Sequence, residues 1–217
     1  MSADTLFIFG LGGHAKVILS EALLSDNYGN IIFISEKNFT DDHISFDNIS
    51  YKVINSLDVL KDLYNDSSTG IVGIGEIKTR VKIVREVKRI IPSFRWAKII
   101  SSNATISNDV EINEGTIVVA GSIINTGTVI GKHSIINTRA TIDHDNTIKD
   151  FVNISPTVVT GGTVMINDEC DIGIGTIIKN NITINKNVVI GGNSFVNKNC
   201  ESNFLYFGSP IKKVKKI

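Results

Sequence analysis

Residues 112–148 read INEGTIVVAGSIINTGTVIGKHSIINTRATIDHDNTI, with an aliphatic side chain at every sixth position: Ile112, Val118, Ile124, Ile130, Ile136, Ile142 and Ile148. The series runs back to Ile100 and forward to Val196, broken only by Thr160. A helix repeats its apolar face near every 3.6 residues and a half-buried strand every second residue, so a strict period of six fits neither alone. It fits a coil of short strands joined by tight corners, each strand sending the same position inward. Three strands per turn give a coil of about 18 residues, and parallel stacking makes the column about 25–30 Å tall.

Two further registers support the coil. Two residues before each aliphatic the chain carries small or β-branched residues, such as Ser122, Thr128, Ser134, Ala140 and Val152, as a narrow interior requires. One residue after it, Gly and Asn recur, as at Asn113, Asn125, Gly131, Gly161 and Gly173. Both types accept left-handed backbone, so these positions are expected to mark the corners.

The first hundred residues differ in kind. Residues 5–10 (TLFIFG) read as a buried strand, and Gly10-Leu11-Gly12-Gly13-His14 as a glycine turn. A helix is expected over 15–24, strands over 31–35 and 70–75, and an amphipathic helix over 79–91 stopped by Pro92. Strand, glycine turn, helix, strand begins an open parallel α/β sheet, here only half the size of a full dinucleotide fold. The expected organisation is an α/β half-Rossmann domain over 1–98, then an all-β, left-handed parallel β-helix over 99–217.

Twenty-two Lys and Arg balance 22 Asp and Glu, which favours neither nucleic acid nor a membrane surface as partner. No apolar run is long enough to span a bilayer and no cleavable leader opens the chain, so a cytoplasmic protein without membrane insertion is expected. Cys170 and Cys200 both fall in the small inward slot, 30 residues apart in the numbering and hence on different faces. They read as buried thiols rather than a disulfide.

Three features carry candidate chemistry. The glycine turn presents backbone N–H groups at a helix start, where an anion such as a phosphate is favoured. His144 lies within Asp143-His144-Asp145, two residues past an inward position and therefore at an outward corner. An imidazole there can act as a base, oriented by a carboxylate. A coil of 18 residues stacks Gly162 beside it, where a bare backbone N–H can serve an oxyanion. The C-terminal Lys212, Lys213, Lys215 and Lys216 fit either the phosphates of a large anion or a solvated tail. Ile117, Ile123, Val129 and Ile135 should face outward, an apolar exterior explained by a second subunit or by packing against the N-terminal domain.

The isoleucine-led hexads over 100–208 resemble the left-handed β-helix of hexapeptide acyltransferases. With the Gly-Leu-Gly-Gly-His turn, the His-acid pair and the terminal Gly208-Ser209-Pro210, the chain resembles the sialic acid O-acetyltransferase and nucleotide-amino-sugar N-acetyltransferase group, including bacillosamine- and perosamine-type enzymes. The resemblance implies a homotrimer with active sites in grooves between neighbouring columns. It implies acetyl-CoA as cosubstrate, no metal, and transfer to the amine of a nucleotide-linked 4-amino-4,6-dideoxy sugar for a bacterial surface glycan. UDP-linked sugars are favoured over dTDP- or GDP-linked ones. By position, His144 matches the general base, Asp145 its acid, and Gly162 the glycine facing the thioester carbonyl. Ile174 and Gly192 match residues along the pantetheine path. Gly12, Gly13, His14, Glu36 and Arg80 fall where relatives hold the nucleotide. Asn153 stands where some relatives have a second histidine, and Ser35-Glu36 where some have paired aspartates. The alternatives are O-acetylation of a sialic or related sugar, a non-catalytic nucleotide-sugar-binding scaffold and, with least support, a Rossmann-type oxidoreductase.

Overall fold

A computed structural model describes residues 4–25, 27–35 and 42–217. The chain divides into two compact units, Met1–Ile99 and Ile100–Ile217.

In the N-terminal unit, β1 (Thr5–Phe9), β2 (Asn30–Ile34), β3 (His43–Phe46), β4 (Ile49–Ile54) and β5 (Ser68–Val72) form one sheet in the order β3-β4-β2-β1-β5. All neighbours are parallel except the β3–β4 hairpin. Leu6, Phe7, Ile8 and Phe9 of the central β1 are at most 1% exposed, which is why that strand is an unbroken apolar run. Helix α1 (Gly13–Ser25) opens directly from the glycine turn; a short helix α2 (Leu60–Leu63) follows β4, and α3 (Ile77–Ile90) follows β5. The last begins two residues earlier than the pattern predicts because Glu76 caps it, its carboxylate accepting hydrogen bonds from Lys78 N and Thr79 N. The hairpin escapes a search for apolar runs because β3 has no buried residue and β4 buries only Tyr51, Val53 and Ile54, with Lys52 between them. Its signal is the Asp47-Asn48 pair, both with positive φ, as a two-residue hairpin turn demands.

The second unit is a parallel β-helix of two-residue strands in three sheets. The first sheet contains Thr105–Ile106, Ile123–Ile124, Thr141–Ile142, Val159–Thr160, Ile177–Ile178 and Phe195–Val196. The second runs from Glu111–Ile112 to Thr183–Ile184, and the third from Ile99–Ile100 through Asn153–Ile154 to a closing antiparallel pair, Phe204–Phe207 with Lys212–Lys216. Registers such as Ile124↔Ile142, Ile130↔Ile148 and Ile136↔Ile154 fix the coil at 18 residues, and all six of these isoleucines are fully buried. Hydroxyls in the small inward slot tie successive coils together. Ser134 Oγ donates to Lys149 O at 2.9 Å and accepts from Val152 N at 3.0 Å.

Three expectations change. From Gly115 to Asn193 the left-handed residue of each corner is the third after the aliphatic, not the first: Gly121, Gly127, His133, Arg139, Asp145 and so on at steps of six. The Gly one residue after the aliphatic serves a different need, close approach of the next coil; a Cβ on Gly131 would lie 2.5 Å from Lys149 C. Of the outward apolar residues, Ile117 (1% exposed) and Ile135 (4%) are already covered within the single chain, so they do not call for a second subunit. Ile123 remains 39% exposed and Val129 half-buried. Ile100, with no coil beneath it, is exposed rather than interior. Cys170 and Cys200 are free and buried, and burial raises both thiols to about 12.

Candidate active site

The strand Thr141–Ile142 leads into a corner carrying Asp143, His144 and Asp145. Asp145 takes the left-handed conformation (φ 56°), which Asp tolerates better than most residues, and this turns its carboxylate back toward its neighbour. His144 Nδ1 lies 2.8 Å from Asp145 Oδ2. With a carboxylate on that nitrogen, the neutral tautomer carries its proton at Nδ1 and leaves Nε2 as the lone-pair base, an assignment made from the hydrogen-bond partner. Asp143 braces the corner from the other side, its Oδ1 accepting from His144 N at 2.8 Å and from Asn125 Nδ2 at 3.1 Å. The bond to Asp145, and next the charge of Asp143, hold the His144 pKa above its ordinary 6.5.

Two glycines make room for this pair. A Cβ on Gly127, one coil before, would collide with Asp145 Oδ1. A Cβ on Gly162, one coil after, would lie 2.5 Å from His144 Nε2 and closer still to Cε1. The imidazole therefore rests directly over the Gly162 backbone. The N–H of Gly162 meets no acceptor among the described residues. A base nitrogen and a disengaged amide thus stand together at one half-exposed corner.

Other predicted residues lie elsewhere on the coil. Ile174, 59% exposed, and Gly192 stack at the corner between the third and first sheets, with Gly192 beneath Ile174 O and Cγ2. Asn153 sits half-buried on the third sheet. His144 and Gly162 occupy the corner between the first and second sheets, so one chain does not bring these two groups together. The C-terminal lysines lie on the exposed edge strand Lys212–Lys216, where Lys213 Nζ is 2.7 Å from Glu201 Oε2 and stacks over the Phe204 ring.

In the N-terminal unit the glycine turn opens on a cavity of about 590 Å³, lined among others by Gly12, Gly13, His14, Ser35, Glu76 and Lys82. Nothing lies within 4 Å of where a Cβ would be on Gly12 or Gly13, so the N-terminus of α1 faces open space. Glu36 lies outside the described residues. Arg80 does not line the cavity: it is 1% exposed and its Nη1 donates to Ile74 O (2.9 Å) and Gly75 O (3.0 Å), holding the far wall from behind. Glu76, Thr79 and Lys82, which line it, escaped the sequence reading because a helix face of this composition looks like ordinary solvated surface.

Burial, and then the charge of Arg80, lowers the His14 pKa to about 4, and its Nε2 is buried without a partner. Between pH 6.5 and 4 the unfolded chain holds a proton at this site that the folded chain does not, so stability falls as pH drops through that window. Urea unfolding at pH 7 and pH 4.5 should differ by up to about 3 kcal/mol from this group, and His14→Gln should remove that component. An unchanged pH slope in the variant would refute the assignment.

No three His, Cys, Asp or Glu side chains among the described residues are grouped to hold a metal, and no helix among them is long and apolar enough to cross a membrane. Residues 5–87 match the family model of the PglD N-terminal domain. Among solved structures, the acetyltransferase domain of PglB from Neisseria gonorrhoeae in complex with acetyl coenzyme A is 27% identical, with TM-score 0.89 over 98% of this chain and 100% of that one. PerB from Caulobacter crescentus in complex with CoA and GDP-perosamine is 24% identical (TM-score 0.85, 97% of each chain). WeeI from Acinetobacter baumannii is 22% identical (TM-score 0.84, 97% of this chain and 99% of that one). The last two show likeness of fold. No curated protein matched. Residues 5–87 therefore match the PglD N-terminal domain, and the whole chain shares with the PglB acetyltransferase domain a fold in which a small α/β unit precedes a β-helix of short parallel strands.

Proposed function

We propose that this chain is an acetyl-CoA-dependent N-acetyltransferase that acetylates the amine of a nucleotide-linked 4-amino-4,6-dideoxy sugar. The observation that carries this reading is the His144 corner, with Nδ1 on Asp145 and the ring over a glycine whose N–H is disengaged. As the sugar amine attacks the thioester carbonyl, His144 Nε2 takes the amine proton and Gly162 N–H donates to the oxygen that gains charge. The C–N bond forms, the C–S bond breaks, and the proton passes from His144 to the departing CoA thiolate. The chemistry uses no covalent enzyme intermediate. Acceptance of an amine rather than a hydroxyl is supported by PerB, which holds GDP-perosamine, and by an N-acyltransferase from Bacillus cereus, AntD, which holds dTDP-4-amino-4,6-dideoxyglucose.

The working form in this reading is a homotrimer. His144 and Gly162 stand at one corner and Ile174 and Gly192 at another, so a neighbouring copy must bring its Ile174 corner, with Asn153 beside it, to complete a groove for acetyl-CoA. The outward Ile123, Val159 and Ile177, 39–52% exposed on one sheet, support burial against another copy. The glycine-turn cavity would take the nucleotide, its phosphates on the first amides of α1 and the orphaned His14 Nε2 directed at the ligand. A UDP-linked sugar is the favoured form, and the cytoplasm the favoured location. Thiol release with UDP-, dTDP- and GDP-linked amino sugars should be fast for one of them and absent for hydroxyl-only counterparts. Failure to bind acetyl-CoA by calorimetry would remove the activity altogether.

A further inference from the structure

Only one inward aliphatic position is polar, Thr160, and only one small inward slot carries an amide, Asn146. Both are buried, at 3% and 1% exposure, and both bond to the corner that carries His144. From Ser101 to Lys179, the residue after each inward aliphatic donates its N–H to the carbonyl of the aliphatic one coil on: Asn125 N to Ile142 O, Asn137 N to Ile154 O, Gly161 N to Ile178 O. Asp143 alone departs. Its N–H goes instead to the Thr160 hydroxyl, at 3.1 Å, and the pairing of Thr141–Ile142 with Val159–Thr160 keeps only the Thr141↔Val159 rung where other strand pairs of the coil keep two.

Asn146 closes the same corner from its far end. Like the slot hydroxyls, it reaches the next coil twice, donating to Gly161 O at 3.0 Å and accepting from Val164 N at 3.1 Å. A slot hydroxyl has one O–H to give, to the next coil as at Ser134 or to its own corner as at Ser194, whereas the two N–H groups of Asn146 Nδ2 serve both, lying 2.6 Å from Asp143 O and 3.2 Å from His144 O as well as reaching Gly161 O. Buried polar groups cost stability unless fully bonded, and these two, the one polar residue in the aliphatic register and the one amide in a slot elsewhere filled by aliphatic, hydroxyl or thiol side chains, both bond to the corner of His144, which points to a role in aiming it.

We infer that Thr160 and Asn146 are positioning residues, a buried polar brace that sets the backbone of residues 143–146 and so aims the His144 imidazole over Gly162. This rests on the general-base reading of His144. Thr160→Val restores the aliphatic type that the repeat carries everywhere else, and Asn146→Ser keeps the two bonds to the next coil while losing the two within the corner. Each should lower kcat by about 10- to 100-fold, the scale of a small misplacement of a reacting group, with KM for acetyl-CoA unchanged. Melting temperature should hold or rise in Thr160→Val, so activity and stability move in opposite directions, which a merely structural role would not produce. Thr116→Val removes an equally buried slot hydroxyl from another coil and should leave kcat unchanged. Because both brace residues act on one corner, the double variant should lose little more than either single one.

The imidazole ¹H–¹⁵N spectrum provides a readout independent of activity: the His144 signals should shift in both variants and stay fixed in Thr116→Val. Thr160→Val with kcat within about twofold of the parent and an unchanged His144 spectrum would overturn the inference. If His144→Ala itself kept its rate, the general-base reading would fall, yet the spectra would still decide whether the brace holds the ring.

Discussion

His144→Ala should turn over its substrates about 10²–10⁴ times more slowly than the parent, the span expected when a positioned general base is lost, while its affinity for acetyl-CoA should stay close to normal. The split follows from where the ring sits. Its side chain is 53% exposed at a corner, supported by Asp145 and Gly162, and it is not part of the interior. Losing it leaves the coil intact and removes only the proton acceptor. The pH profile adds a signature that a structural residue would not have. The hydrogen bond that His144 Nδ1–H donates to Asp145, followed by the charge of Asp143, raises the His144 pKa above 6.5, so the base form is lost as pH falls through a value higher than that of a free imidazole. Turnover should climb with pH through that raised value and level off above it. Asp145→Asn can still hold the ring but not its charge, and should move the acid limb to lower pH and reduce the plateau. A profile unchanged by Asp145→Asn would separate the carboxylate from the mechanism.

How much of this was legible in the sequence depends on the length scale of the interaction. The coil was legible because its physics is periodic: Ile124, Ile142 and Ile178 meet the same environment at fixed spacing, and one rule describes them all. The placement of Gly162 beside His144 followed from the same arithmetic. The identity of the left-handed corner residue did not, because the coil accepts Arg139, Phe151 and Thr157 there as well as glycine, and composition at that position carries no uniform mark. The β3–β4 hairpin was missed for the opposite reason, having an edge strand with little burial and therefore little pattern. Side-chain reach is the third limit. Thr160 was visible as a break in the isoleucine series, yet that its hydroxyl takes over a ladder bond from Asp143 is set by a distance of 3.1 Å that no spacing rule contains. Likewise Arg80 falls in a plausible ligand-binding stretch but spends its guanidinium on Ile74 and Gly75 carbonyls.

Gly162→Ala is the sharpest separation of two roles for one residue. If the glycine contributes only its amide N–H, alanine keeps that donor and the variant should work nearly as well as the parent. The packing argues otherwise. An added Cβ would lie 2.5 Å from His144 Nε2 and closer to Cε1, a separation that real Cβ atoms essentially never show, so the imidazole has to leave its seat. Gly162 does not have the positive φ that would penalise alanine on backbone grounds, and the exposed ring is free to swing outward. Stability should therefore change by no more than about 0.5 kcal/mol, the usual range for a substitution that creates neither cavity nor backbone strain. Turnover should fall by about 10²-fold, because a ring displaced from Gly162 also leaves Asp145 and loses its aim at the attacking amine. The displacement is measurable without a substrate: the His144 pKa should return toward 6.5 in an imidazole titration as the bond to Asp145 is lost. A folded Gly162→Ala variant with parental turnover and an unshifted His144 titration would show that the imidazole works from some position other than over this glycine, and the assignment of base and oxyanion donor to a single corner would fail with it.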